Sequence, residues 1–338
     1  MNSAVKSGIL IAMLTGIAFG QTTLHTTTTL VVVPALVQTS GKELVFSLKA
    51  DDFILTDNGV PQKVTLEDGS SRPLSLVVLM QTGGAAYGQF ESYTNLEPMI
   101  ANVLGPAPNK VSIVNFDSRP EAASPFTSDV AQWRDAINHP DRGDSGAAVL
   151  DGLSYAISLL KQQPANTRRA ILLISQEHDG GSKATMKDIL RELGETNTAV
   201  YSMTFSAEKT SFKQAFKEPP HLNPPITVNA AAGPTQGYFN LGAPLGLAIG
   251  AMRKNLSAEV ASLSGGESSS FENRNELAAD LGVLTNHIRN SYILSFYPTS
   301  REPGLHTIKV RMAHHPELLV SARSNYWAGD SGDAEAQH

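Results

Sequence analysis

Between residues 74 and 205, short apolar runs alternate with amphipathic stretches, and this alternation restricts the chain to very few architectures. Leu74–Met80, Lys110–Phe116, Arg169–Ile174 and Ala199–Met203 are dominated by Leu, Ile and Val. Continuous apolar runs of this length suit strands covered on both faces. Helical signals lie between them at Tyr93–Leu104, Val130–Ile137, Ala148–Gln162 and Lys183–Leu193. In the third of these, Val149, Leu153, Ala156, Ile157 and Leu160 fall on one stripe, the spacing of a helix with one buried face. Pro98 delays or kinks the first helix, because proline lacks the N–H that an interior turn needs. The β-α-β-α order predicts an α/β fold with a mainly parallel sheet and helices on both sides.

Both flanks read as β structure. Thr28–Val33 is a β-branched run, and Lys42–Leu48 alternates so that Leu44, Phe46 and Leu48 share a face. Phe53–Thr56, then Asp57-Asn58-Gly59, then Gln62–Leu66 predicts a hairpin with an Asn-Gly turn, with Pro61 at a strand start or edge. Ser291–Tyr297, His306–Arg311 and Leu318–Arg323 are strand-like, and the pattern ends at Tyr326-Trp327. The expectation is one smaller β domain split in sequence, residues 21–72 and 291–327, with the α/β domain of residues 73–290 inserted into it. Inside that insertion, residues 206–246 carry Pro219, Pro220, Pro224, Pro225, Pro234 and Pro244 and read as a long irregular segment. Helical signals resume at Leu245–Ser262 and Glu276–Asn290, with a short edge strand expected within Gly266–Phe271. Residues 328–338 read as a disordered tail.

The first twenty residues have the layout of a secretory signal: Lys6, the apolar stretch Gly8–Phe19, and small residues around Ala18-Phe19-Gly20. About twelve apolar residues fall short of the roughly twenty that span a bilayer. Cleavage after Gly20 is expected to leave Gln21 as the first residue of a secreted or periplasmic protein with no membrane span. Lys and Arg number 26 against 32 Asp and Glu, a formal net charge of −6. That balance disfavours a phosphate-backbone partner, and the pairs Arg168-Arg169 and Arg253-Lys254 are too short to reverse it; no nucleic acid is expected. The absence of cysteine removes disulfides, thiolate metal sites and cysteine nucleophiles together.

Open α/β sheets bind ligands at the carboxyl ends of their strands, which directs attention to Gln81–Ala85, Asp144–Ala148 and Gln176–Ser182. With Leu48-Lys-Ala-Asp-Asp-Phe53, Asp57-Asn-Gly-Val-Pro-Gln62, Gly146–Leu153, Leu172–Ser182, Tyr292-Ile-Leu-Ser-Phe-Tyr-Pro298, His306–Val310 and Ser324-Asn-Tyr-Trp-Ala328, these segments resemble a von Willebrand factor A (VWA) domain. The form is that of the VWFA-related acidobacterial domain family of exported proteins. The resemblance runs over roughly residues 25–328 and implies a Rossmann-like α/β domain.

The resembled domains build a metal-ion-dependent adhesion site from Asp-x-Ser-x-Ser, a Thr on a second loop and an Asp on a third, hard oxygen ligands suited to Mg²⁺. The corresponding positions here are Gln81, Gly83 and Ala85, then Ala147, then Gln176. Gly and Ala bring no side-chain oxygen, and an amide carbonyl is a weak substitute for a carboxylate. The expectation is a degenerate site with no metal and no cofactor. Asp144, Asp151, Glu177 and Asp179 lie near enough to the same rim to rebuild a non-standard cation site, or else Asp151 and Asp179 cap helices or turns and the others are solvated.

No catalytic constellation emerges. Ser154 in Gly-Leu-Ser-Tyr-Ala lacks the second glycine of a nucleophile elbow, and no histidine can be assigned to it as a base. Gly83-Gly84 is not followed by a Walker lysine. The expected function is an exported, non-catalytic binding or adhesion module that meets a protein or an envelope polymer. The alternatives are a structural subunit of a cell-envelope assembly and a metal-dependent adhesin using the four acids.

Overall fold

The structure, a computed structural model, describes residues 30–67, 72–94, 96–104, 108–211, 255–300 and 302–328. The signal expected at 1–20, most of the 206–246 insertion, residues 245–254 and the tail expected beyond Ala328 lie outside the described residues. In chain order the elements are β1 (Val31–Gln38), β2 (Phe53–Asp57), β3 (Val60–Gln62), β4 (Thr65–Glu67), β5 (Leu74–Gln81), α1 (Phe90–Tyr93) and α2 (Glu97–Leu104). There follow β6 (Lys110–Phe116), β7 (Pro120–Thr127), α3 (Val130–Asn138), α4 (Val149–Lys161), β8 (Arg168–Gln176), α5 (Met186–Thr196) and β9 (Thr198–Phe205). After the insertion come α6 (Leu256–Ser264), β10 (Ser268–Ser270), α7 (Arg274–Asn290), β11 (Tyr292–Phe296), β12 (Gly304–Met312), β13 (Leu319–Ala322) and β14 (Asn325–Ala328).

The central sheet has six strands in the order β10-β9-β8-β5-β6-β7. All neighbours are parallel except the β6–β7 pair. Side chains alternate across a strand, and β5 shows the consequence. Leu74, Leu76, Val78 and Met80 enter one core layer with Tyr93, Ile100, Trp133, Leu277 and Leu281. Val77 and Leu79 enter the opposite layer with Val149, Leu153, Ile157, Ile189 and Val260. A strand feeding two helical layers is mostly apolar on both faces, and the run at 74–80, with Ser75 its one polar residue, shows this.

The flanking segments form two antiparallel sheets, β13-β1-β11-β4 and β14-β12-β2-β3. Each mixes strands from the two ends of the chain, and both feed one core that includes Val33, Leu55, Leu294, Phe296, Ile308 and Tyr326. Asn58 and Gly59 have φ of 47° and 85°, the left-handed pair that a two-residue hairpin turn requires. The Asn58 side chain also accepts a hydrogen bond from Thr307 N at 2.9 Å.

Several expectations need correction. Lys42–Leu48 does not form a strand: Lys42 (φ 64°) and Ser47 (φ 70°) break the extended path, and Phe46 is 60% exposed. The run expected at 62–66 divides at Lys63, so that β3 and β4 belong to different sheets. The first helix divides into α1 and α2, and Pro98 sits in the first turn of α2, where a missing N–H costs nothing. β7 was not anticipated, because its sequence PEAASPFT has little strand character. It is tolerated as a bulged edge strand. α5 starts at Met186, three residues later than expected, at a capping box formed by Thr185 and Asp188. Residues 207–211, expected to be irregular, are helical, and Ala328 closes β14 instead of opening the tail. Among the described residues no helix is long and apolar enough to cross a membrane.

Candidate functional site

The carboxyl ends of β5, β6 and β8 converge on one rim. Gln81, the last residue of β5, is fully buried. Its Oε1 accepts from Gln176 N at 2.8 Å. Its Nε2 donates to Gly83 O at 3.0 Å and to Gln176 Oε1 at 3.1 Å. Gln176 Nε2 donates in turn to His178 O at 2.8 Å. Both N–H groups and the oxygen of the Gln81 amide are therefore engaged. Two neutral amides hold each other at two of the positions expected to have lost a ligand.

The remaining three positions are equally committed to packing. A Cβ on Gly83 would lie 2.3 Å from Gly146 O and 2.5 Å from Asp117 Cβ, so a serine there would force the two loops apart. Ala85 packs against the core layer beneath the 84–89 turn. Ala147 is buried and zipped to Gly180, with Ala147 N donating to Gly180 O at 3.2 Å and Gly180 N to Ala147 O at 2.7 Å. The structure thus brings all three predicted loops together.

The four acids do different work. Asp144 Oδ1 accepts from Ser118 N at 3.1 Å and Gly146 N at 2.7 Å, and its Oδ2 from the Ser118 hydroxyl. The Ser118 hydroxyl first, and then the Gly146 amide, hold this exposed carboxyl below the usual range. Asp151 accepts from Lys183 N at 2.9 Å and Ala184 N at 2.8 Å, tying the approach to α5 onto α4. Asp179 Oδ1 accepts from Leu150 N at 3.1 Å and its Oδ2 from Ser182 N at 3.2 Å, serving the first turn of α4. The Glu177 main-chain carbonyl receives Leu256 N at 2.8 Å, at the start of α6. Among the described residues no group of three or more His, Asp or Glu is arranged to hold a metal ion.

Two features of the rim escaped the sequence reading. Asp117, just past β6, accepts Asp144 N at 3.0 Å through its carboxylate and Ala148 N at 2.8 Å through its carbonyl. It ties the second loop to the end of β6. The Arg142 guanidinium lies 4.1 Å from the centre of the Tyr87 ring, and Tyr87 remains 41% exposed. Neither residue had a periodic or motif signal. Beside them runs an open groove of about 1000 Å³ lined by residues that include Thr82, Asp117, Arg119, Glu121 and Asp135. Ser154, the weak nucleophile candidate, donates to Glu192 at 3.2 Å in a contact between α4 and α5.

A parallel, helix-covered sheet with three loops meeting at the carboxyl ends of its strands is an open α/β architecture. Residues 84–181, from the turn after β5 to the loop after β8, match the model of the von Willebrand factor type A domain. No curated protein matches the chain. Similar solved structures include an aerotolerance-related membrane protein from Bacteroides fragilis, 14% identical over 63% of this chain and 98% of that one, with a TM-score of 0.39. BatB from Bacteroides thetaiotaomicron is 13% identical over 64% of this chain and 98% of that one, with a TM-score of 0.40. The vWF domain of the type V pili tip protein Mfa5 from Porphyromonas gingivalis is 17% identical over 37% of this chain and 46% of that one, with a TM-score of 0.29. The fold assignment rests on strand order and on the family match, not on these superpositions.

Proposed function

We propose that the chain is an exported, non-catalytic protein-binding or adhesion module whose metal-ion-dependent adhesion site is degenerate and closed. The observation that carries this reading is the Gln81–Gln176 amide pair, saturated within the protein and seated where a cation would otherwise sit. The contact of Gly83 with Gly146 supports it, since it leaves no room for the second ligand side chain. The engagement of Asp144, Asp151 and Asp179 with backbone amides counts against a rebuilt cation site. With the main-chain groups of Gly84, Ala147 and Gly180 also spent on each other's loops, a partner would meet outward side chains. Tyr87 with its stacked Arg142, together with Ser145 and His178, forms that surface. The partner is a protein or an envelope polymer. Export rests on the leader-like residues 1–20 and places the protein outside the cytoplasm, secreted or periplasmic.

Thermal unfolding in EDTA and then in excess Mg²⁺, Mn²⁺ or Ca²⁺ tests the closed site. A ligand that binds only the folded state raises the midpoint; the expected result is no shift, and a clear rise overturns the reading. N-terminal sequencing of the protein recovered from an envelope or culture fraction tests export. Gln21 is the expected first residue, and recovery from the cytoplasm with Met1 retained contradicts it.

A further inference from the structure

Among the described residues, a deeply buried cluster of titratable side chains lies away from the rim. Asp57 on β2, His306 on β12 and Tyr326 on β14 are 2%, 2% and 4% exposed. His306 Nδ1 lies 2.9 Å from Asp57 Oδ1, and the Tyr326 hydroxyl donates to Asp57 Oδ2 at 2.8 Å while lying 3.0 Å from the same His306 Nδ1. His306 Nε2 faces the Glu302 carbonyl at 2.7 Å. A carbonyl only accepts, so the ring donates from Nε2 to Glu302. Such depth excludes substrate, so the cluster is no active site. Its three members instead stitch three adjacent strands, β2, β12 and β14, in one register.

The strand it fastens also touches the α/β unit. Side chains alternate along β14: Tyr326 points into the sandwich core, whereas Trp327 lies against α5. Lys187 Nζ sits 5.5 Å from the Trp327 ring centre, and a Cβ on Gly194 would come within 2.9 Å of Trp327 N. Just before the strand, buried Arg323 donates to Val32 O at 3.3 Å and to Asn197 Oδ1 at 3.5 Å. Asn197 is the left-handed cap of α5 and itself accepts from Val32 N at 3.1 Å.

We propose that β14 is a conformational latch: the Asp57–His306–Tyr326 cluster holds it on the sandwich, and its opposite face sets the position of the α/β unit, and with it the rim, relative to that sandwich. Buried polar groups of this kind are best attested as register-setting devices. The latch is independent of what the rim binds. Hydrogen exchange followed by mass spectrometry on the full chain tests it, with Tyr326→Phe, which keeps the ring and removes one hydroxyl. Local opening is read as faster exchange confined to one cooperative unit. The expected result is at least about tenfold faster exchange at residues 325–328 and at the end of α5, with β5 and β8 unchanged. His306→Gln is expected to give the same regional pattern. Unchanged exchange at β14 in both variants, or equal acceleration in β5 and β8, overturns the proposal.

Discussion

The rim and the β sandwich each contain a tight polar cluster, and the two are built from opposite chemistry. At the rim, Gln81 and Gln176 offer neutral amides that hydrogen-bond one another. In the sandwich, where nothing demands charge, Asp57, His306 and Tyr326 are enclosed together. Neutral amides lose little when buried and fully hydrogen-bonded, whereas an enclosed carboxylate depends on every partner it has. On the readings proposed above, the rim cluster closes a site and the sandwich cluster fastens a strand. Each should respond differently to mutation, to pH and to cations.

The largest effect is expected in the sandwich. Asp57→Ala removes the shared acceptor of His306 and Tyr326, and leaving a buried polar partner uncompensated costs about 3–5 kcal/mol, measurable by urea unfolding. A loss below about 1 kcal/mol would mean that the cluster is solvated and the contrast between the two regions is false. At the rim, Gly83→Ser drives a side chain against Gly146 O and should destabilise by about 1–3 kcal/mol, the usual scale of overpacking, without any gain of Mg²⁺ affinity. Gln81→Leu leaves the buried-side amide of Gln176 without its acceptor and should cost about 1–3 kcal/mol.

The pH dependence sharpens the same contrast. Burial, and then the hydrogen bond to Asp57, push the Tyr326 phenol above its ordinary value. A group raised in the folded state contributes stability in full below its unfolded value and loses it as pH rises toward the folded one. Stability should therefore fall as pH climbs above the ordinary tyrosine value of 10.0, and less steeply in Tyr326→Phe. The smallest effect belongs to exposed Asp144, whose carboxyl is lowered by Ser118 and Gly146. Its contribution is present above the ordinary carboxylate value and disappears as pH falls through the folded one. Asp144→Asn should slightly flatten the acid side of the stability profile and nothing else.

Much of the fold was legible because a strand covered on both faces is dominated by apolar residues, as the central stretches of β5, β8 and β9 are. β7 was not, since an edge strand tolerates prolines and alanines that carry no strand signal. Lys42–Leu48 misled because alternation alone does not reveal that Lys42 and Ser47 adopt positive φ. At the rim, the three loops could be read from the carboxyl ends of the strands, and so could the capping roles available to Asp151 and Asp179. The amide pairing of Gln81 with Gln176 spans 95 residues, and the Asp57–His306 contact spans 249. Contacts at such separations are set by the assembled sheets, and no local pattern announces them.

The central claim is that the cation seat is closed by two amides, and the most direct test observes those amides. In a ¹⁵N-labelled sample, the side-chain N–H₂ signals of Gln81 should be slow to exchange with solvent and unmoved by millimolar Mg²⁺ or Mn²⁺. Rapid exchange of those protons, or a saturable displacement or broadening of the signals when either cation is added, would contradict the account.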